Sequence, residues 1–148
     1  MNKSRPSVFR LVSHMLAALF NSRAAFHEQW RHYESAPARD AVAGRWIGEW
    51  ISEHSGHRGA LKCVLARAAE GVYRAYFYAS FSKLFSVGYV TDLKAESGPG
   101  VTHLNGEQDL GPLAGGIYRC DGEITGTDFV CHYSCKYDQG TFRLKKLD

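Results

Sequence analysis

Tyr73-Arg74-Ala75-Tyr76-Phe77-Tyr78-Ala79-Ser80-Phe81 decides the fold. Tyr73, Ala75, Phe77, Ala79 and Phe81 form one apolar series, and Arg74, Tyr76, Tyr78 and Ser80 alternate with them. Successive side chains of an extended chain point to opposite faces, so a period of two makes this a strand with one buried face.

The same alternation runs outward on both sides. Upstream, Gly44 to Trp50 places Trp46, Gly48 and Trp50 on one face as a first strand. Glu53 to Gly59 is a turn, Ala60 to Arg67 a second strand, and Glu70-Gly71 the turn into the quoted stretch. Downstream, Phe85 to Lys94 is a fourth strand carrying Phe85, Val87, Tyr89 and Leu93, and Glu96 to Gly100 closes it as a loop. Val101 to Gly106 is a short fifth strand, followed by the glycine-rich connection Gly111 to Gly116. Ile117 to Cys120 then leads into Asp121-Gly122, a dipeptide that favours a two-residue hairpin turn. From Glu123 the seventh strand aligns Phe129, Cys131, Tyr133 and Cys135. After a turn over Tyr137 to Gly140, Thr141 to Leu147 turns Phe142 and Leu144 inward.

About eight short strands with tight connections and no intervening helical pattern predict a mainly β chain: an eight-stranded antiparallel up-and-down β-barrel over residues 41–148. Such a barrel has an interior that side chains just fill, or that holds one small ligand. At 45% hydrophobic and 13% aromatic residues the chain is too apolar for disorder. Cys131 and Cys135, four residues apart in one strand, sit roughly 13 Å apart and cannot bridge, so the four cysteines, Cys63 and Cys120 included, read as free thiols of a reducing compartment. The expected location is cytoplasmic, with a peripheral membrane or exported protein as the alternative.

Residues 1–40 form a separate segment. Val8, Val12, Met15, Leu19, Phe26, Trp30 and Tyr33 recur at spacings of three, four or seven, and Phe9, Leu16 and Phe20 widen the stripe. This predicts one or two amphipathic helices over residues 7–34, with Ser7 as N-cap and Ala36-Pro37-Ala38 as linker. A cleaved signal peptide is the lesser reading, because Ser13 and His14 interrupt the apolar run. Something must cover the stripe over residues 8–33: the barrel wall or mouth, a second copy in a homo-oligomer, or a protein partner. An anionic membrane surface ranks after these.

The net charge of +3 belongs to this segment. Lys3, Arg5, Arg10, Arg23, Arg31 and Arg39 face three acids, Glu28, Glu34 and Asp40, whereas the barrel has twelve of each sign. A balanced barrel lacks the basic stripe that nucleic acid requires, so no nucleic-acid partner is expected.

Gly44-Arg45-Trp46 opening the first strand of an eight-stranded meander resembles the calycin group: lipocalins, fatty-acid-binding proteins and avidin-like proteins. The resemblance implies a basic residue of the last strand packed over the tryptophan, for which Arg143 and Lys145 are the candidates. It implies an architecture and no particular ligand.

The inward residues predicted to contact a ligand are Trp46, Trp50, Tyr73, Phe77, Phe81, Tyr89, Tyr118, Tyr133 and Phe142, with Gly48, Ala75 and Ala79 leaving room. They form either an aromatic-walled cavity with tyrosine hydroxyls to orient an apolar guest, or a packed core. No metal site is assigned: His54 and His57 flank a glycine in an exposed turn, and His103 or His132 would have to complete the set. A haem held by His132, which sits in a strand among aromatics, is a variant of the same idea, weakened by the parity with Tyr133 that turns His132 outward. No catalytic residue is assigned either, because adjacent Cys131 and His132 point to opposite faces, and Glu107, Asp109, Glu123 and Asp128 fall mostly at turns. The expected function is therefore non-enzymatic binding of a small apolar or aromatic molecule, with the helix as lid or oligomerisation arm. The alternative is a filled barrel serving as a scaffold attached through its helix, and the cofactor question stays open.

Overall fold

A computed structural model describes residues 8–81, 83, 85–112 and 116–147; within the helix, side chains are described from residue 22 onward. One helix, α1 (Val8–Ser35), precedes eight strands: β1 (Gly44–Ser52), β2 (Arg58–Ala69), β3 (Val72–Phe81), β4 (Phe85–Gly98), β5 (Val101–Asp109), β6 (Ile117–Thr125), β7 (Asp128–Ser134) and β8 (Gln139–Lys146). Every strand pairs antiparallel with its sequence neighbours, and β1 pairs with β8, so the sheet closes into an up-and-down barrel.

The alternation of the sequence sets the wall. On β3, Tyr73, Ala75 and Phe77 are buried while Arg74 is exposed, and β7 repeats the pattern with Phe129, Cys131 and Tyr133 inward. The four cysteines are free thiols, and Cys135 sits just beyond the end of β7.

Two connections differ from the sequence expectation. The Glu96 to Gly100 loop shrinks to Pro99-Gly100, because β4 stays paired as far as Gly98 opposite Val101. Gly100 takes φ 71°, the left-handed value a proline-glycine turn of type II needs at its third position. Asp121-Gly122 is not a turn at all: β6 runs through it to Thr125, and the chain reverses at Gly126-Thr127, where Gly126 has φ 59°. Packing overrides the dipeptide preference. Gly122 faces the interior, where an added Cβ would stand 2.8 Å from the Phe129 ring, so the glycine makes room for the phenylalanine.

α1 lies along the outside of the wall, chiefly over β4 and β3. Phe26 is buried and stacks on Tyr78, with ring centroids 5.0 Å apart. Trp30 has the guanidinium of Arg45 at 5.2 Å and the ammonium of Lys62 at 5.0 Å from its ring centroid. Gly88 of β4 admits the helix backbone itself: a Cβ there would approach the amide nitrogen of Arg23 to 2.6 Å. The Ser7 cap and Lys3 and Arg5 lie outside the described residues, as do the side chains of Val8, Phe9, Arg10, Val12, Met15, Leu16, Leu19 and Phe20. No helix among the described residues is long and apolar enough to cross a membrane.

Candidate functional site

The two ends of the barrel are built differently. At the end holding the tight turns Glu70-Gly71, Pro99-Gly100 and Gly126-Thr127, the interior is packed solid with Trp46, Leu65, Tyr73, Leu93, Leu104, Phe129 and Leu144, all buried. Trp46 is 0% exposed; its indole N–H donates to the Val42 carbonyl at 3.0 Å and its ring meets Phe129 edge-on. Lys146, directly opposite Trp46 on β8, holds its ammonium 5.9 Å from the indole centroid. This corrects the sequence expectation of Arg143 or Lys145. Both have the outward parity: Arg143 is exposed, and Lys145 pairs with Asp128 on the outer surface.

The linker seals the same end. Asp40 accepts hydrogen bonds from the amides of Val42 and Ala43 and from the Tyr73 hydroxyl at 2.7 Å, with Arg67 3.4 Å away. Burial alone would raise the Asp40 pKa, but the two amides, the hydroxyl and the guanidinium together hold it below its ordinary value. Lys146 donates to the Asp40 carbonyl at 2.6 Å, so linker, first strand and last strand meet at one point.

A belt of thiols separates this packed end from the other. Cys63, Cys120 and Cys131 are buried side by side, and burial pushes the Cys63 thiol well up. Hydrogen bonding with Cys120 and burial do the same for Cys131. Cys63 and Cys131 stay protonated, and all three side chains pack as small apolar groups.

Above the belt the barrel is hollow. A cavity of about 250 Å³ opens toward the longer connections and is lined by Trp50, Leu61, Phe77, Ala79, Phe81, Val87, Tyr89, Leu110, Tyr118, Cys120, Tyr133, Asp138 and Phe142. Of the nine predicted contact residues, Trp50, Phe77, Phe81, Tyr89, Tyr118, Tyr133 and Phe142 line it. Trp46 and Tyr73 are interior but belong to the packed end. Among the small residues, Ala79 lines the hollow, whereas Gly48 brings strands together: a Cβ on it would strike the Arg143 carbonyl.

The aromatic walls support one another. Tyr133 stacks on Phe142 at 4.7 Å, Phe142 meets Phe77 at 5.2 Å, and Tyr89 meets Tyr118 at 5.8 Å. Trp50 crosses β2 at Gly59, where any side chain would collide with the indole, and donates its N–H to the Ser80 carbonyl at 3.0 Å. Phe81 packs on Trp50 at 4.9 Å yet remains 43% exposed, which places it on the rim.

Polar atoms are few and placed. Asp138 accepts from the Ser52 hydroxyl at 2.6 Å through one carboxylate oxygen and from the Tyr133 hydroxyl at 2.9 Å through the other. Burial pushes Tyr89 up to about 12, and burial also raises Tyr118 and Tyr133, so all three phenols keep their protons at neutral pH. Sequence reasoning misses Asp138, Leu61, Val87, Leu110 and Cys120 as contacts. Strand parity with Tyr118 identifies Cys120 and parity with Cys63 identifies Leu61, but Asp138 sits in a connection where alternation carries no information.

The histidines are dispersed. His54 and His57 are exposed, His103 faces Glu123 at 3.4 Å, and His132 lies 3.4 Å from the Thr141 hydroxyl on the outer wall. Among the described residues no three histidine, cysteine or acidic side chains cluster as a metal site would need. In comparisons with known proteins, no family model and no curated protein matches this chain.

Proposed function

We propose that the protein binds a small, compact apolar or aromatic molecule in the hollow end of its barrel, without chemically altering it. The observation that carries this is the asymmetry of the interior: a packed end beside an aromatic-walled cavity of about 250 Å³ in a single closed sheet. A barrel whose only task were structural would gain from filling that volume, since cavities cost stability in proportion to their size. The lining is apolar with a few oriented polar groups, the usual character of a ligand site, and its size is near the lower end for such sites. Gly44-x-Trp46 with Lys146 over the indole supports a remote kinship to the calycin barrels on the same grounds.

Native mass spectrometry of the full chain purified from its own host tests the reading. The expected result is a retained small-molecule mass that disappears in Ala79→Phe, a change that places a ring in the cavity. A chain that carries no ligand, and whose Trp50 fluorescence no apolar aromatic probe alters, overturns it.

A further inference from the structure

We propose that the ligand is a compact amine, bound as its cation with its apolar body among the aromatic rings and its ammonium at Asp138. This rests on reading the cavity as a ligand site. Among the described residues, Asp138 is the one carboxylate in the lining, and no lysine, arginine or histidine lines the cavity. Its oxygens each accept one hydroxyl hydrogen bond, from Ser52 and Tyr133, and an ionised carboxylate has room for about four. The two hydroxyls therefore fix the direction of the carboxylate and leave acceptor sites for a guest.

No ion pair joins Asp138 to a described residue. Lys136 is nearby, lining a shallow outer depression with Asp138, Glu53 and His54, but its ammonium lies over the Tyr137 ring at 5.7 Å. A neutral guest closing the mouth would strip water from this carboxylate without offering a counter-charge, which is unfavourable. An anion would meet it directly. A protonated amine supplies the missing charge, and the aromatic lining gives its apolar body a matching surface. The volume, equal to about eight waters at ~30 Å³ each, limits the guest to one or two rings or a short branched chain.

Isothermal titration of the full chain with three probes of one shape separates the outcomes: 2-phenylethylamine, ethylbenzene and phenylacetate. The expected order is the amine at least about tenfold tighter than the hydrocarbon, with phenylacetate weakest, and loss of the amine's advantage in Asp138→Asn. Ethylbenzene binding as tightly as the amine in the unaltered chain overturns the amine assignment and leaves the cavity reading standing. Absence of binding by all three overturns the cavity reading, and the amine with it. Because the charge series is measured first on the unaltered protein, its outcome does not depend on how well the variant folds.

Discussion

The two ends of this barrel share eight strands and one alternation pattern, yet one is solid and the other hollow. At the solid end, branched and aromatic side chains of several strands, Leu65, Leu93, Leu104, Phe129 and Leu144, converge on Trp46. At the hollow end the rings of Tyr133 and Phe142 stack on each other, Phe142 tilts against Phe77, and the small residue Ala79 lines the space they surround. The hollow end is as apolar as the solid one; what differs is how its side chains pack.

That contrast makes quantitative claims. The largest effect is expected for Trp46→Ala, which removes the centre of the solid end and should cost about 3–5 kcal/mol in urea unfolding; a loss below about 1 kcal/mol would show that this end is not the stabilising half. Asp40→Asn should cost about 1.5–3 kcal/mol at neutral pH, by weakening charge-assisted hydrogen bonds that close the same end. Because the folded pKa of Asp40 is depressed, its contribution is complete above the ordinary carboxylate value of about 4 and is lost as pH falls further. Stability of the unaltered protein should therefore converge on that of the variant in acid, and parallel curves from about pH 7 to about pH 2 would rule out this role for Asp40.

Smaller effects compare the ends at matched positions. Ala75→Phe inserts a ring where Ala75 is 0% exposed and should cost about 1–3 kcal/mol or more, whereas Ala79→Phe, on the same face of β3, should change stability by under about 1 kcal/mol. Equal costs for the pair would mean that the cavity closes in solution. Tyr133→Phe is expected to have the mildest consequence of the deletions, about 1 kcal/mol in thermal unfolding, since Asp138 keeps its bond from Ser52.

The barrel itself is legible because β3 and β7 alternate almost without error, and parity alone assigns most of the cavity wall. Legibility ends where three-dimensional packing decides against a local preference. Asp121-Gly122 carries a strong hairpin signal, but Gly122 answers to Phe129 across the strand pair, and no pattern within β6 shows that. Trp46 and Tyr73 share the inward parity of the cavity residues, and their separation from it depends on distance along the barrel axis. Lys146 has the same parity as Leu144, which sets it apart from Arg143 and Lys145, but only register with Trp46 identifies it as the partner, and register is a property of two strands.

Seven of the eight strand pairings join neighbours through one connection each, while β1 and β8 meet across roughly a hundred residues of chain, with Trp46 opposite Lys146 and the Leu147 amide donating to the Arg45 carbonyl at 2.8 Å. Each hairpin closes a short loop, whereas this junction brings together the most distant parts of the chain. A molecule unzipped there is a curved ribbon with two bare margins of unpaired amides and carbonyls, ready to pair with another ribbon. The contacts of Asp40 and Lys146 lie beside this junction and oppose such an opening.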